Sequence, residues 1–564
     1  MICSVPPELL EIIGLYLSLE NHLQLVSVNH LFYHTYIKLL LQHVKITSRE
    51  HLNQFLNQSR NHCLVQHLQL SAEINEDDIK QIVKSLSHLS SICLTMNSYR
   101  IDLLQSLSSF DCLYSLALDS VSVDETALTF LPPQLKRLKV NLKRAFESDQ
   151  LIAASWNGLK CIHTLCPLIE HLSVAYNHGW EPVIRKQEMP NYKIKKLELI
   201  FLDRPGDMES WFCYFGYNYP RLASLKIRCD GSHYNRNSLL FREESDREVY
   251  SRFFRGCPLL SHLETQDVTL TVEFFQQLKY QAIDFTRIFN QPSSSSIFLH
   301  ECNSDWTDFS AITKLDIFYV LGAEHHMPME TIGRKCQYLN QLILRSSNQF
   351  RKNTLWIGTI LVLFPYLKYL GLIDLKLSTN RNILLRYANT LHPLEEIHIE
   401  RCFVSDGFFD CVSARCLNLK HLSLIQTRFE YPLDKAIMNL KHQRLLTVNI
   451  KCPRVSNLDQ VIRLFHVHSK VKSEWYYMSQ YRVRPSTLLE VAECFERTNE
   501  TNTLLLDIML SQHPSSWKDL VMHSYLYTSH LFEGLQLPNA LLAGYFEILC
   551  QSIGALRIND RDVF

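Results

Sequence analysis

The sequence predicts an α/β protein in three parts: a short N-terminal helical module, a solenoid of repeated strand–helix units with parallel strands on the concave side and helices on the convex side, and a C-terminal cap. Three observations lead to this prediction. The chain begins with an amphipathic helix, its 564 residues are too many for one ordinary core, and a short apolar frame returns at a regular interval. The predicted boundaries are residues 1–45, 60–452 and 453–564.

The opening segment "VPPELLEIIGLYL", residues 5–17, has the pattern of an amphipathic helix. A proline suits the start of a helix, and Glu8 in the first turn matches the positive end of the helix dipole. One apolar stripe at helical spacing comprises Leu9, Ile12, Ile13, Tyr16 and Leu17. Leu10 and Leu15 lie off this stripe and form a second apolar side. Such a helix either lies deep in its own domain or binds a partner.

A short phrase recurs along the chain, for example as "CPLIEHLSV", "CPLLSHLET" and "CLNLKHLSL". Its frame is LxxLxL, and the first positions of successive frames are Val65, Leu89, Leu113, Leu135, Ile169, Ile194, Leu222, Leu260, Tyr280, Ile312, Leu339, Leu367, Leu394, Leu419 and Leu445. Tyr280 fits this frame poorly. The mean step, (445 − 65)/14, is about 27 residues, which lies in the range of leucine-rich repeats.

Each frame predicts a short strand whose alternate side chains point inward, and stacked strands form a parallel sheet with helices returning outside. After each strand a side chain must satisfy the backbone of the turn, and Asn97, Asn177, Cys402 and Thr427 occupy this position. Just before several frames stand small residues that we interpret as buried ends of the preceding helix, namely Cys166, Cys257, Cys336 and Cys416. Polar stretches at 229–250 and 290–306 are predicted to be insertions in loops.

The frame fades after Pro453, and this region is predicted to form a cap that shields the last core face of the stack. Residues Ser486 to Asn499 have the pattern of a capped helix, with Leu488, Leu489, Ala492 and Phe495 on its apolar face. One further strand is predicted around Leu505, Ile508 and Leu510.

Lysine plus arginine and aspartate plus glutamate balance at 57 each, so the formal net charge is zero. This balance argues against binding to nucleic acid or to an anionic membrane surface. Pro6, Pro7 and Glu8 interrupt the start of the chain, so no secretory signal is expected, and no stretch of about 18 apolar residues is present. The 17 cysteines are sparse and odd in number, which predicts a reduced cytoplasmic or nuclear protein.

No catalytic residue, cofactor or metal is predicted. The sequence has no Gly-rich phosphate loop, no HExxH and no GxSxG. It has no CxxC pair, and the histidines of "HVHSK" have no second pair of ligands nearby in the sequence. The aromatic-rich segment "SEWYYMSQYRV" is interpreted as core or cap, with an enzyme after Pro453 as an alternative. We therefore expect a binding protein.

Residues 5–36 resemble an F-box, the helical motif that binds substrate receptors to a Skp-type adaptor of a cullin–RING ubiquitin ligase. The family's opening Leu-Pro-x-Glu falls on Val5, Pro6, Pro7 and Glu8, and its later apolar positions fall on Leu9, Leu10, Ile13, Leu17, Leu23, Leu25, Val28 and Phe32. The chain departs from the family at His22, Asn29 and Phe32. The resemblance implies adaptor binding by Val5, Pro6, Pro7, Leu9, Ile13, Leu17, Leu23, Val28 and Phe32. Alternatively, these helices only cap the repeats.

The F-box family combines this motif with leucine-rich repeats that hold a protein target for ubiquitination and proteasomal degradation. The outward positions of three predicted strands carry Arg137, Lys139, Lys196, Lys226 and Arg228, which predicts a basic zone for an acidic or phosphorylated target. The strand of Leu394 instead offers Glu396, His398 and Glu400. Two alternatives remain: these charges are only a solvated strand face, or the chain is a repeat scaffold without ligase association.

Overall fold

The chain forms two compact units, Met1–Ile283 and Asp284–Phe564, which are described separately. The structure is a computed structural model. It describes residues 7–14, 17, 19–57, 59–71, 76–86, 88–95, 101–123, 125–142, 158–176, 193–202, 208–229, 246–268, 270–288, 309–318, 329–346, 354–379, 391–430, 435–455, 461–470, 473–482, 491–498, 503, 506, 545–559 and 561–563.

Unit 1 begins with three helices, Pro7–Gly14 (α1), Leu19–Val26 (α2) and His30–Gln42 (α3), which we call the helical module. Its small core is formed by Leu10, Phe32 and Tyr36. Asn29 caps α3, because its Oδ1 accepts a hydrogen bond from the Phe32 N–H at 2.9 Å. The Asn29 that departs from the F-box pattern therefore has a structural function here.

In the described residues of unit 1 nine strands follow, and each pairs in parallel with the next along the chain. They are His43–Ile46 (β1), His67–Leu70 (β2), Ser91–Thr95 (β3), Ser115–Val123 (β4), Arg137–Leu142 (β5), His171–Tyr176 (β6), Lys196–Phe201 (β7), Ser224–Cys229 (β8) and His262–Gln266 (β9). In β6 the buried residues Leu172, Val174 and Tyr176 alternate with half-buried ones, as a one-sided sheet requires.

Helices connect these strands and lie against the apolar side of the sheet. They are Arg49–Asn57 (α4), Glu76–Ser85 (α5), Ile101–Leu107 (α6), Glu125–Leu128 (α7), Gly158–Leu165 (α8), Met208–Asn218 (α9), Asp246–Gly256 (α10) and Val272–Leu278 (α11), with a 3₁₀ turn at Ser59–Leu64. α9 and α10 pack so closely at Gly216 and Gly256 that a β-carbon at Gly256 would overlap the backbone of Gly216. The absence of a side chain at Gly256 permits this approach. Phe212, Phe253 and Phe274 fill the space around this crossing.

Unit 2 continues the same repeat with longer turns. Its main parallel strands are Asp284–Ile288 (β10), Ile312–Phe318 (β11), Gln341–Arg345 (β12), Tyr369–Ile373 (β14), Glu396–Glu400 (β16), His421–Ile425 (β18) and Lys435–Lys451 (β20). A second parallel sheet comprises Thr354–Trp356 (β13), Lys376–Ser378 (β15), Phe403–Ser405 (β17), Arg428–Glu430 (β19) and Arg454–Val455 (β21). The intervening helices are Met329–Lys335 (α12), Ile357–Leu363 (α13) and Phe408–Arg415 (α14).

The turns after the unit 2 strands share one backbone conformation. Asp374, Arg401, Gln426 and Cys452 each have φ between 48° and 58° and end successive main strands. The side chain that follows is buried and contacts the backbone of neighbouring strands: the Cys402 thiol donates to the Leu372 carbonyl at 3.2 Å, and the Thr427 hydroxyl lies 3.5 Å from the Ile399 carbonyl. This confirms the prediction for Cys402 and Thr427. Asn97 and Asn177 lie outside the described residues.

The frame prediction is confirmed at most positions. Except for Tyr280, the first residue of each frame is buried. Buried cysteines directly follow the helices before four of the frames, namely Cys166, Cys257, Cys336 and Cys416. Burial raises the pKa of the Cys166, Cys257 and Cys416 thiols to about 12, so these cysteines are apolar packing groups at neutral pH. Tyr280 is 73% exposed, and its assignment is wrong: the strand begins four residues later, at Asp284.

The C-terminal region differs from the prediction. Leu464–His468 (β22), Ser473–Arg482 (β23) and Val491–Arg497 (β24) form an antiparallel meander, so the predicted helix from Ser486 to Asn499 is wrong over its described residues. The strand predicted around Ile508 lies outside the described residues. Tyr545–Ile558 (β25) lies between β20 and β22 and is parallel to both, and Arg561–Asp562 (β26) turns back on it.

β25 contains a further frame that the sequence analysis missed. Ile553, Leu556 and Ile558 pair with Leu445, Val448 and Ile450 of β20, position for position. Asn559 follows with φ 47°, which is the turn conformation of the preceding repeats. The segment "IGALRIND" carries the LxxLxL spacing, so it is one more repeat strand after a long excursion of the chain.

Candidate protein-interaction surfaces

The described residues of the helical module present five aliphatic side chains to solvent, besides the aromatic Tyr33. Leu9 is 50% exposed, Ile13 48%, Leu23 57% and Val28 61%, and Ile12 on the same face of α1 is 53% exposed. Leucine and isoleucine in a soluble module are ordinarily buried, and a grouped set of exposed ones is typical of a surface that binds another protein. Among the predicted adaptor residues, Leu9, Ile13, Leu23 and Val28 therefore lie where a partner can reach them.

The other predicted adaptor residues are placed differently. Phe32 is buried in the core of the module, so its assignment as a direct adaptor contact is wrong. Its side chain lies on α3 and packs in the core with Leu10 and Tyr36. Leu17 packs against the same core and is partly buried. Val5 and Pro6 lie outside the described residues, and Pro7 begins α1. The predicted adaptor residues that are exposed thus lie on α1, on α2 and in the turn before α3.

His22 is a polar residue in the core of the helical module. Its side chain is buried, its Nε2 lies 2.8 Å from the Gly14 carbonyl at the end of α1, and its ring stacks on Tyr36. The imidazole therefore satisfies a helix-end carbonyl while it fills the core. His22 thus connects α2 to the end of α1 and to α3.

The strand face of unit 1 has a first row, which contains the first residue of each strand. The pairing registers place these residues side by side, in the order His43, His67, Ser91, Ser115, Arg137, His171, Lys196, Ser224 and His262. The first row contains cationic, titratable and hydroxyl side chains but no carboxylate. Burial, and then the charges of nearby cations, lower the pKa of His67 and His171.

The second row, two residues further along each strand, has mixed charge. Lys139 Nζ lies 2.7 Å from Asp119 Oδ1, and Lys226 Nζ lies 2.8 Å from Glu264 Oε1. Glu198 is next to Lys226 in the register and lies 3.7 Å from Arg228 Nε. Lys139 and Lys226 of this row are therefore balanced by carboxylates on adjacent strands.

The structure does not gather the five predicted target-binding residues into one basic zone. Arg137 and Lys196 belong to the first row, where they flank His171 and form no ion pair among the described residues. Lys139, Lys226 and Arg228 lie beside acidic neighbours instead. The sequence could have shown that acidic residues lie among the predicted cations, because Glu198 stands two residues after Lys196 in "KLELIF".

The strand face of unit 2 also carries paired charges. Arg345 Nε and Nη2 each lie 2.7 Å from an oxygen of Asp316 on the adjacent strand. Of the predicted acidic strand, Glu396 is half-buried, and His398 Nε2 lies 3.5 Å from Glu400 Oε2. This face is suited to polar contacts with another protein.

One group of side chains in the described part of the chain could hold a metal ion, namely His466, His468 and Glu547. The two histidines belong to the "HVHSK" segment, for which the sequence offered no further ligand. Glu547 comes from β25, which the sequence analysis did not predict. It reaches the histidines through the parallel pairing of β22 with β25.

No family model matches the chain, and no curated protein matches it. Among solved structures, a crystal structure of an internalin from Listeria monocytogenes is similar over 73% of this chain and 94% of that chain, at 11% identity and a TM-score of 0.29. A similarity this distant identifies neither a family nor a function. The leucine-rich-repeat fold is evident because each predicted frame other than the one at Tyr280 forms one parallel strand. No helix in the described ranges is both long and apolar enough to cross a membrane.

Proposed function

We propose that this chain is a substrate receptor of an SCF-type ubiquitin ligase, in which the helical module binds a Skp-type adaptor and the repeats bind a target protein. The observation that carries this proposal is the exposed apolar surface of the helical module, with Leu9, Ile13 and Leu23 turned outward from a core that contains Leu10 and Phe32. The resemblance of residues 5–36 to an F-box supports a Skp-type adaptor as the partner. Ubiquitin transfer would belong to the other subunits, and this chain would supply proximity and orientation.

A second candidate is a leucine-rich-repeat protein-interaction scaffold without ligase association. The observation that favours it is continuity: α3 ends at Gln42 and β1 begins at His43, so no linker separates the helical module from the first repeat. Terminal caps of repeat proteins are joined to the stack in this way. The two candidates differ in whether the outer face of α1 has a partner.

The target would bind on the strand face of unit 1. The first row supports an acidic or phosphorylated segment, because Arg137 and Lys196 flank His171 and the row holds no carboxylate. An arginine guanidinium forms strong charge-assisted hydrogen bonds with carboxylate and phosphate groups. The neighbouring second row, with paired charges, would fix the register of such a segment.

The test is an adaptor pull-down with the full chain carrying Leu9→Asp or Ile13→Asp. Burying each of these side chains contributes about 1.5–3 kcal/mol, and a buried unpaired carboxylate costs more, so each change is expected to abolish binding. The matched control is Leu168→Asp, which alters a 37% exposed leucine outside the module in the same way and should leave binding unchanged. Unaltered circular dichroism shows that the variants fold.

If both α1 variants still capture the adaptor as well as the control does, the ligase assignment is wrong. If the unaltered chain captures no adaptor, the scaffold without ligase association is the correct function. Loss of binding in the α1 variants alone supports the substrate receptor.

A further inference from the structure

The pairing of β22 with β25 brings three metal-binding side chains together in unit 2. In this register His466 lies opposite Glu547, and His468 lies two residues further along β22, on the same side of the sheet. One ligand atom from each of the three side chains lies within 4.8 Å of the others. His466 and Glu547 are largely buried, with 8% and 13% of their side chains exposed, so the group is shielded from bulk water.

The separation of the first two ligand atoms suits a tetrahedral zinc ion. His466 Nδ1 lies 3.4 Å from Glu547 Oε1. Zinc binds imidazole nitrogen and carboxylate oxygen at about 2.0–2.2 Å in tetrahedral geometry, which places two ligand atoms roughly 3.3–3.5 Å apart. An ion can therefore bind between these two atoms at the distance they already have, and His468 needs only to approach as a third ligand.

The other nitrogen of His466 has the partner that a metal-bound histidine requires. His466 Nε2 lies 3.0 Å from the Ser473 hydroxyl oxygen. When Nδ1 binds a metal, Nε2 carries the proton. The Nε2–H then donates a hydrogen bond to such an acceptor, and this bond fixes the ring orientation. The ring is also stacked on Trp475, with centroids 4.1 Å apart and planes 2° from parallel. The imidazole is thus held in place before any ion binds.

We propose that His466, His468 and Glu547 bind one Zn²⁺ ion that links β22 to β25. Two imidazoles and one carboxylate are ligands that zinc prefers, and three protein ligands leave a fourth position for water. The ion would hold the last repeat strand against the antiparallel meander and stabilise unit 2, since a ligand that binds only the folded state shifts the unfolding equilibrium.

A matched control exists in the same unit. His398 Nε2 lies 3.5 Å from Glu400 Oε2, which is nearly the His466–Glu547 separation, but no third potential ligand joins that pair among the described residues. If an imidazole and a carboxylate were sufficient, both pairs would bind zinc. The proposal therefore predicts that only the group with His468 does so.

The experiment uses the full chain after removal of metal by chelation and titrates Zn²⁺ while following heat of binding and thermal unfolding. The unaltered protein and the His398→Gln variant should bind one high-affinity equivalent and unfold at a higher temperature with zinc. His468→Gln and Glu547→Gln should weaken this binding by at least about 100-fold, because loss of a ligand exceeds the 10–100-fold effect of losing an outer partner. Ser473→Ala, which removes only that partner, should weaken binding by about 10–100-fold and retain one equivalent.

Paramagnetic Ni²⁺ gives an independent readout, because an ion bound beside His466 should quench the fluorescence of Trp475. This quenching should disappear in Trp475→Phe and in His468→Gln. The proposal is overturned if the unaltered protein gains no thermal stability with Zn²⁺, or if His468→Gln and Glu547→Gln bind zinc as tightly as His398→Gln. In either case His466 and Glu547 form only a buried hydrogen-bonded pair.

Discussion

His163 shows how one buried residue can make unit 1 sensitive to pH. Its side chain is buried in α8, its Nε2 lies 2.9 Å from the Tyr219 hydroxyl oxygen, and burial lowers its pKa to about 3. In the unfolded chain a histidine titrates near 6.5. Between these two pH values the unfolded chain binds a proton at this imidazole and the folded chain does not, so protonation favours unfolding. Above about pH 6.5 the imidazole is neutral in both states, and its titration no longer changes the stability.

We predict that the stability of unit 1 falls as the pH is lowered from about 6.5 towards 3, with His163 contributing a slope of up to about 1.4 kcal/mol per pH unit. His163→Gln keeps a polar group for Tyr219 and cannot titrate. The free energy of unfolding in urea, measured for both proteins between pH 7 and 4, should converge or cross in favour of the variant as the pH falls. A constant difference over that range would contradict the prediction.

At the residue level, the sequence showed what depends on neighbours along the chain. Cys402 and Thr427 were placed correctly in the turn, because their position is fixed by the frame that precedes them. The roles of Phe32 and His22 could not be read in this way, because burial depends on how α1, α2 and α3 pack. An amphipathic pattern identifies two faces of a helix but not which one the domain covers.

At the level of elements, the strand registers determine which charges act together. The first row of unit 1 combines side chains from nine strands, and a cation there has different neighbours from a cation two residues further along the same strand. Lys139 faces Asp119 across a strand pair, whereas Arg137 lies beside His171. The electrostatic character of each row therefore depends on register as well as on composition.

We predict that Arg137→Gln with Lys196→Gln weakens target binding at least tenfold, because each cation would form a charge-assisted hydrogen bond of about 1.5–3 kcal/mol. The matched variant, Lys139→Gln with Lys226→Gln, makes the same change in net charge in the second row and should alter binding much less. Proximity labelling by the unaltered chain identifies the target, and the affinities of the unaltered chain and of the two variants for it are then measured at two salt concentrations. Equal losses in both variants would contradict a specific role for the first row.

For the whole molecule, the division at Ile283 gives a place to separate the repeats. We predict that residues 1–283 form a soluble fragment that unfolds cooperatively and keeps adaptor binding, because the helical module and strands β1–β9 lie in unit 1. A fragment that ends at Ile317 keeps β10 but lacks β12, so Leu315 and Ile317, both buried in the full chain, lose their β12 neighbours. It should aggregate more readily in light scattering. Failure of the shorter fragment to unfold cooperatively would show that the units depend on each other.

The regular part of the molecule could be predicted because its period is local. Each frame specifies one strand, and one parallel partner is always the next frame along the chain. The pairing of the C-terminal strand β25 could not be predicted from this period, since its partner β20 lies about 100 residues earlier in the chain. The metal ligands were missed for the same reason: periodicity does not reveal which distant segment will lie beside His466.

The late arrival of β25 has a consequence for the order in which unit 2 is completed during synthesis. The Cys452 N–H donates to Asn559 Oδ1 across a separation of 107 residues. At a synthesis rate of about 5–20 residues per second, β25 is synthesised on the order of 5–20 s after β20. During this interval β20 and β22 are open strand edges, which are sites where chains aggregate or chaperones bind. The vulnerable period of this protein therefore falls between the synthesis of β20 and the synthesis of β25.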